Sequence, residues 1–355
     1  MPALEAAREI RIGDHLIGAS HAPFVIAEMS GNHNGSLDRA LEIVDAVADS
    51  GAQALKLQTY TADTITIDVD TPDFRIADEH GLWGGQVLYD LYQRAHTPWE
   101  WHDPIFSRAR ARGLVAFSSP FDPTALDLLE DLDVPVYKIA SSEIVDLPLI
   151  RAVAETGKPV IISTGMATVA EIDAAVCAAR NTGSGGIVVL ACTTAYPASP
   201  EDSHVRGIPL IADAFDVVAG LSDHTEGMGA ALAAVAHGAA VIEKHVTLAR
   251  ADGGVDSDFS LEPAELGMLV AESRRAWQAL GERRIGPLEA EAEGLRFRRS
   301  LYVVADVRAG DTVTSVNVRS IRPAGGMAPD EISRVLGRNF TRDATRGTPL
   351  TWDLL

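Results

Sequence analysis

The chain has 355 residues, of which 46% are hydrophobic and 23% charged, values typical of a soluble globular protein. Its formal net charge of −20 disfavours a nucleic-acid or anionic-membrane partner. No segment approaches the roughly 18 uninterrupted apolar residues of a membrane span, and the N-terminal residues do not resemble a signal peptide. The chain has two cysteines, Cys177 and Cys192, and this small number favours a reduced, cytoplasmic protein.

Eight short apolar segments recur through the first part of the chain, each followed by polar residues and a stretch of helical period. They lie at 24–28, 54–58, 114–119, 134–141, 159–165, 186–194, 216–224 and 240–246. Strands that alternate with helices predict an α/β fold with a parallel sheet covered on both faces. Eight units favour a (β/α)8 TIM barrel. A doubly wound sheet should carry G-x-G-x-x-G after its first strand, and EMSGNHNGS does not match.

One connection is longer than the others. Between the second strand and a helix expected near Thr97 lie roughly 35 extra residues, and an insertion at the carboxyl end of a barrel strand lies over the active site. The insertion contains HGLWGGQVLYDLYQRAHTPWEWH. It is interpreted either as a helical lid at the rim or as a segment that contacts the substrate.

Polar side chains follow all eight predicted strands, and in a barrel these strand ends meet at one mouth. They include Glu28, Lys56, Gln58, Ser118, Ser119, Lys138, Ser141, Glu143, Ser163, Thr194, Tyr196, Ser222, His224, Glu243, Lys244 and His245. Because side chains alternate along a strand, Glu243 and His245 should face the mouth and Lys244 the helices. Lys56 and Lys138 then remain as the cations of the site, and Lys158 is expected to be a solvated turn residue.

This set of side chains suits a phosphorylated anion beside a metal. Two ammonium groups and a ring of serine hydroxyls can hold a phosphate. Two histidines on neighbouring strands can bind one divalent ion; Mn²⁺, Co²⁺ or Fe²⁺ suits mixed imidazole and oxygen ligands, and Mg²⁺ suits them less well. The carboxylates could orient ligands or move protons. A Schiff-base aldolase would also place a lysine on a barrel strand, but it has less use for the two histidines.

The motifs FVIAEMSGNHNGS, FSSPFD, VYKIASSE, ISTGM, CTTAYP, GLSDHT and VIEKHVT resemble, in order and over essentially the whole chain, the sialic acid synthase family. Within that family the insertion is most similar to the branch that makes pseudaminic acid. The resemblance implies a transferase that condenses phosphoenolpyruvate with 2,4-diacetamido-2,4,6-trideoxy-L-altrose to give a nonulosonic acid and phosphate. The alternatives are an N-acetylneuraminate or legionaminate synthase, and a non-catalytic sugar-binding barrel.

The resemblance also implies roles for individual residues. Phosphoenolpyruvate would be bound by Lys56, Ser119, Lys138, Ser141, Ser163, Thr194 and Ser222, the metal by His224 and His245, and the sugar by Gln58, Glu143, Tyr196 and Asp256. Lys56, Lys138 and Glu143 would also act in catalysis, with Glu28 handling a proton of the attacking water. Two positions depart from the family pattern: Thr194 replaces the asparagine of sialic acid synthases, and Ala195 replaces a hydroxyl residue.

The C-terminal part differs in charge from the rest. Residues 300–355 carry a net charge of +1 and residues 1–299 a net charge of −21. We expect a barrel at 1–285, a linker at 286–299 and a β-rich domain at 300–355, in which DVRAGDTV and DATRGTPL form an internal repeat. By resemblance this is an antifreeze-like (SAF) domain that caps the partner's barrel in a domain-swapped homodimer. Arg322 and the linker residue Phe297 would then contact the substrate of the partner.

Overall fold

The computed structural model describes residues 8–77 and 82–355. It divides the chain into two compact units, Met1–Gly281 and Glu282–Leu355. Among the described residues, no helix has both the length and the apolarity needed to cross a membrane.

The first unit is built around a closed barrel of eight parallel strands, which confirms the predicted fold. A hairpin of β1 (Ile10–Ile12) and β2 (His15–Ile17) precedes it. The barrel strands are β3 (Phe24–Glu28), β4 (Ala54–Thr59), β5 (Val115–Pro120), β6 (Tyr137–Ile139), β7 (Val160–Ser163), β8 (Ile187–Cys192), β9 (Val218–Asp223) and β10 (Val241–His245). All eight predicted segments contain a strand, although β6 is much shorter than the predicted 134–141. The ring closes where β10 pairs with β3.

Helices surround the strands and cover their outer faces. Those of the first unit are α1 (Leu37–Ser50), α2 (Ala62–Ile65), α3 (Leu88–Ala95), α4 (Trp99–Ala111), α5 (Pro123–Asp131), α6 (Leu147–Glu155), α7 (Val169–Thr182), α8 (Ile208–Phe215), α9 (Gly229–Ala236) and α10 (Pro263–Leu280). Their ends follow local sequence signals. The Ser36 side chain accepts a hydrogen bond from the amide of Arg39 at the start of α1, and Thr168 and Glu171 form a capping box at α7.

Close contact between neighbouring strands requires a glycine in β9. A Cβ atom built on Gly220 would lie 2.4 Å from the carbonyl oxygen of Val241 and 2.7 Å from the Leu190 side chain. Both contacts are too short for any side chain, so Gly220 lets β8, β9 and β10 approach one another inside the barrel. These strands carry Cys192, Ser222 and His245 toward the same end of the barrel.

The long insertion after β4 contains α2, a short turn of 3₁₀ helix at Pro72–Phe74, and α3. An isolated bridge pairs Arg75 with Val87, and the helix expected near Thr97 begins at Trp99. Aromatic rings join the insertion to the barrel: Tyr92 in α3 packs edge-on against Tyr60, with ring centroids 5.6 Å apart. The described part of the insertion therefore packs against the carboxyl end of β4.

The second unit has its own hydrophobic core and a two-stranded sheet of β11 (Ser300–Val303) and β12 (Val318–Ile321), with short helices α11 (Ala292–Leu295) and α12 (Ile332–Val335). The two repeated segments pair with each other at Val307 and Ala344. Asp306 accepts a hydrogen bond from the amide of Arg346 at 2.7 Å, and Asp343 accepts one from the amide of Ala309 at 2.8 Å. Each aspartate thus binds the equivalent amide of the other repeat, which is the pseudo-symmetry that the sequence predicts.

Candidate active site

Lys56 lies at the centre of a buried group of charges inside the barrel mouth. Its ammonium nitrogen is 2.5 Å from a carboxylate oxygen of Glu28 and 3.5 Å from one of Glu243. Lys138 approaches the same oxygen of Glu243 at 3.4 Å. Ser222 donates to that oxygen at 3.0 Å. Strand alternation accounts for this convergence, because each of these side chains lies on the face of its strand that points into the barrel.

Lys244 points away from the mouth, as the alternation predicts. Its ammonium group binds the carboxylate of Asp223 at 2.9 Å and the backbone carbonyl of Thr225 at 2.5 Å, and it is fully buried. Ser118 also faces outward, where its hydroxyl contacts that of Thr59. Lys158 is less exposed than expected, because it pairs with Glu130 at 2.6 Å on the outside of the barrel.

The buried charges shift one another's pKa values. Burial raises the pKa of Glu28 despite its contact with Lys56. Burial also opposes ionisation of Glu243, but the two lysines outweigh it and hold the pKa of Glu243 at about 2. Burial lowers the pKa of Lys138, although Glu243 favours its charged form. Two carboxylates and two ammonium groups therefore face each other in a space that excludes water.

Hydroxyl groups border this cluster, and two of them have no hydrogen-bond partner among the described residues. The side-chain oxygens of Ser119 and Ser163 are buried and unpaired. A buried unpaired hydroxyl is costly unless a ligand or water binds it. Gly165, with φ of +45°, brings two further residues together: a Cβ there would lie 2.6 Å from the Ser141 hydroxyl and 3.0 Å from Thr194.

The two predicted histidines lie side by side at the ends of β9 and β10. Their ring centroids are 5.3 Å apart and their planes are inclined at 65°. His224 donates from Nδ1 to the backbone carbonyl of Thr193 at 2.8 Å, which leaves Nε2 free to accept. The Nδ1 atom of His245 is buried without a hydrogen-bond partner and lies 3.9 Å from a carboxylate oxygen of Asp256.

Both histidines could supply a ring nitrogen to a divalent metal. Burial lowers the pKa of His245 well below its usual value, so its free lone pair is available at neutral pH. At His224 burial also opposes the charged form, but the contact with Cys192 outweighs it and raises the pKa, so metal binding there would displace a more tightly held proton. Among residues 8–77 and 82–355, no group of three or more histidine, cysteine, aspartate or glutamate side chains is arranged to hold an ion by itself. The protein would therefore supply two imidazoles, with water and substrate completing the coordination.

The proposed sugar side of the mouth is lined by aromatic rings. Tyr196 packs on His224 with centroids 4.4 Å apart, and Phe259 lies 4.9 Å from the His245 ring. Asp256 is buried near them, and burial raises its pKa. On the other side of the cluster, Gln58 donates to Glu28 at 3.2 Å.

Several predicted residues lie farther from this cluster or in the second unit. Burial raises the pKa of Glu143, whose Oε2 atom is buried and unpaired, and Lys138 partly opposes the shift. Phe297 and Arg322 belong to the second unit, where the Phe297 ring is 50% exposed and the Arg322 side chain is also exposed. Their predicted contact with a partner's substrate stays a prediction.

Sequence reasoning leaves two neighbours of the site, Phe259 and Trp83, unassigned. It places Glu243 at the mouth as a carboxylate that could orient ligands or move protons, but it does not predict that Glu243 contacts both lysines. Phe259 and Trp83 come from loops without strand periodicity, so their positions could not be predicted from alternation. The signal for Trp83 was its place in the aromatic insertion, and the signal for Phe259 was its nearness in sequence to Asp256.

Comparison with known proteins agrees with this geometry. A model of the NeuB family matches residues 43–284. The chain belongs to the NeuB family. A SAF-domain model matches residues 298–355, which confirms the type of C-terminal domain. These matches also confirm the resemblance carried by the sequence motifs.

Two relatives within the NeuB family share 40% identity with the chain. The pseudaminic acid synthase of Campylobacter jejuni (strain 81-176) aligns over 92% of this chain and 95% of its own length. That of Helicobacter pylori aligns over 93% and 97%. An N,N'-diacetyllegionaminic acid synthase of Legionella pneumophila is 34% identical, over 95% of both chains.

Solved structures show the same fold. An N-acetylneuraminic acid synthetase of Leptospira borgpetersenii has a TM-score of 0.72 and 32% identity, covering 81% of this chain and 95% of its own. The spore coat polysaccharide protein SpsE of Bacillus subtilis has a TM-score of 0.67 and 31% identity, covering 98% and 99%. The second comparison extends across both units of the chain.

Proposed function

We propose that this chain is a transferase that condenses phosphoenolpyruvate with 2,4-diacetamido-2,4,6-trideoxy-L-altrose to form pseudaminic acid and phosphate. The observation that carries the proposal is 40% identity with pseudaminic acid synthases over nearly the whole chain. The buried pair of lysines beside the pair of histidines supports it, because this arrangement suits a phosphorylated carboxylate next to a carbonyl group. A non-catalytic sugar-binding barrel would have no use for these lysines.

Phosphoenolpyruvate would bind where the lysines and unpaired hydroxyls meet. Lys56 and Lys138 would stabilise its carboxylate and phosphate charges, and the Ser119 and Ser163 hydroxyls can donate to its oxygens. Ser222 would have to exchange its hydrogen bond to Glu243 for one to the anion. Fixing the anion in this way orients its C3 atom toward the sugar, which converts a bimolecular reaction into one between oriented neighbours. Ser141 and Thr194, brought together at Gly165, would bind the same anion.

The sugar would bind on the side of Tyr196, Asp256, Gln58 and Glu143. A divalent metal held by His224 and His245, with Mn²⁺, Co²⁺ or Mg²⁺ as candidates, would supply Lewis-acid polarisation of the sugar aldehyde. C3 of phosphoenolpyruvate would then form the new bond to the aldehyde carbon as the C2–C3 double bond is used up. The aldehyde oxygen becomes a hydroxyl by taking up one proton, which is balanced by a proton that the water added at C2 gives up; the second proton of that water leaves with phosphate.

Bond formation leaves a positive charge at C2 of the former phosphoenolpyruvate. Water adds to C2, and breaking the C2–O bond to the phosphate then releases phosphate and leaves the 2-keto acid. Glu28 is placed to accept a proton from that water, because its carboxylate is buried beside both Lys56 and Gln58. Lys56 keeps the carboxylate in position and offsets its charge.

Phosphate release tests this function. The purified protein is incubated with phosphoenolpyruvate, a divalent metal and each of three sugars: the L-altrose derivative, N-acetylmannosamine and the legionaminate precursor. We expect phosphate and a nine-carbon keto acid with the L-altrose derivative at the highest kcat/KM. A pocket that favours a C6 methyl group over a hydroxyl should give kcat/KM values for the two kinds of sugar that differ by about 10–200-fold. Equal or better efficiency with N-acetylmannosamine would reject the sugar assignment.

The proposed assembly is a homodimer in which each SAF domain caps the partner's barrel. The chain has an acidic first part (−21) and a nearly neutral C-terminal part (+1), a charge contrast that would reduce repulsion between cap and barrel. Arg322 would add positive charge to the partner's site for the anionic substrate. Its exposure, with that of Phe297, leaves both side chains available for such a contact. The proposed compartment is the cytoplasm.

A further inference from the structure

Trp83 belongs to the insertion and contacts an aromatic neighbour of the histidine pair. Its ring centroid lies 5.4 Å from that of Tyr196, and the Tyr196 ring lies 4.4 Å from His224. The indole Nε1 donates a hydrogen bond of 2.8 Å to the backbone carbonyl of Val255. One side chain therefore contacts two separate loops, the one after β8 and the one after β10.

Both contacts act on residues of the proposed sugar side. Val255 directly precedes Asp256, whose carboxylate oxygen is 3.9 Å from His245. The same stretch of the loop is held two residues earlier, where Asn34 donates to the carbonyl oxygen of Gly253 at 2.9 Å. Trp83 thus adds a second attachment to the segment that leads into Asp256.

Trp83 also lines a cavity of about 690 Å³. Leu82, Gln86 and Arg94 of the insertion line it as well, together with Gly254 and Asp258 of the loop after β10. The indole therefore borders this cavity and also contacts Tyr196.

We propose that Trp83 is a positioning residue that fixes Tyr196 and the Asp256 loop for binding of the sugar. The proposal rests on the proposed function for the identity of the substrate. The contacts with Tyr196 and Val255 do not depend on it. Because both contacts of Trp83 described above are with the sugar side, its effect should be confined to the sugar.

Three variants test the proposal. Trp83→Leu removes both the ring stacking and the hydrogen bond, whereas Trp83→Phe keeps an aromatic ring and loses only the donor. Trp277→Leu is the matched control, because the Trp277 indole also donates to a backbone carbonyl, that of Ala19 at 3.1 Å, but belongs to α10. Apparent KM is measured for each substrate, with thermal unfolding as a check on folding.

For Trp83→Leu we expect KM for the sugar to rise by about tenfold, because that is the lower end of the discrimination that one pocket contact provides. KM for phosphoenolpyruvate should change by less than about twofold. Trp83→Phe should be intermediate and Trp277→Leu should match the wild type. An equal rise in both KM values, or an unchanged KM for the sugar in Trp83→Leu, would overturn the proposal.

Hydrogen exchange of the loop at 253–259 gives a readout that needs no turnover. Exchange in this loop should be faster in Trp83→Leu than in the wild type and unchanged in Trp277→Leu. Unchanged exchange in Trp83→Leu would contradict the attachment of the loop. If the wild-type protein did not turn over the L-altrose derivative, the proposed function would fail, and the exchange measurement would still decide whether Trp83 holds the loop.

Discussion

Lys138 has features of two kinds of catalytic lysine. Burial lowers its pKa, as in a Schiff-base enzyme, but its ammonium group lies 3.4 Å from Glu243 in a cluster suited to an anion. We expect no covalent intermediate. Treatment with borohydride in the presence of both substrates should leave the protein mass unchanged, and a mass increase located at Lys138 would contradict the assignment. An aldolase that forms a Schiff base serves as the positive control for trapping.

Removal of either histidine should weaken metal binding and turnover together. His224 and His245 would supply all of the nitrogen ligands, so His224→Ala or His245→Ala leaves a single imidazole and should reduce kcat/KM by at least about 100-fold. Excess metal should restore only part of the activity. Metal affinity is measured by calorimetry on the metal-free protein. Full turnover by the double variant after chelation would show that the histidines are not the ligands.

For individual residues, the alternation of side chains along strands predicted which of them face the barrel mouth. It correctly separated His245, which faces the mouth, from Lys244, which faces the helices. It could not predict that Glu243 binds both Lys56 and Lys138, because a contact among three strands depends on side-chain length and the diameter of the barrel. The unpaired hydroxyls of Ser119 and Ser163 likewise became visible only in three dimensions.

Between the elements β9 and β10, a buried ion pair lies directly behind the two histidines. Asp223 and Lys244 are almost fully buried and 2.9 Å apart, and each precedes one of the histidines. Lys244→Met leaves a buried carboxylate unpaired and should destabilise the fold by about 3–5 kcal/mol. The double variant Asp223→Leu, Lys244→Met should recover much of that loss. Urea unfolding measures both, and equal destabilisation by the single and double variants would contradict the pairing argument.

Where α4 packs against β4, His102 makes stability depend on pH. Its Nε2 atom lies 2.8 Å from the Thr59 hydroxyl, and burial lowers its pKa to about 4 from the usual 6.5. The unfolded chain therefore takes up the proton first as the pH falls. The contribution of neutral His102 to the free energy of unfolding is fully present above pH 6.5. As the pH falls from about 6.5 to 4, the free energy of unfolding decreases by up to about 3 kcal/mol.

The variant His102→Gln keeps a polar side chain but cannot titrate. It should show a shallower loss of stability between pH 6.5 and 4 than the wild type, measured by urea unfolding at a series of pH values. Some slope should persist, because burial also lowers the pKa of His33 to about 4. Identical slopes in the two proteins would show that His102 is not responsible.

Elements were predicted well where the sequence has a clear period and poorly where it does not. The eight barrel strands follow apolar runs bounded by turns, and each was found. The insertion has no regular period, so its placement over the strand ends could be inferred from barrel topology, but its contacts could not. The hydrogen bond from Trp83 to Val255 joins segments 172 residues apart. No local pattern contains such information.

At the scale of the whole molecule, the exchanged-cap dimer is tested by complementation. One inactive variant carries Arg322→Ala and the other Lys138→Ala. If caps are exchanged, a mixed dimer contains one barrel with intact Lys138 capped by a domain with intact Arg322, and mixing restores about one of two sites. If each cap serves its own barrel, every site lacks one residue. No recovery in verified mixed dimers would reject the exchanged arrangement.

The pairing of Lys56 and Lys138 with Glu28 and Glu243 has a consequence for how substrate enters and product leaves. Since the four charges balance when all are ionised, this part of the mouth should not attract small anions strongly, despite its two ammonium groups. If phosphoenolpyruvate binds here, the trianion must compete with carboxylates that already contact the lysines, and a ligand that also binds the Ser119 and Ser163 hydroxyls would gain most. After the reaction, the same carboxylates would compete with inorganic phosphate for the lysines, and this competition would favour its release.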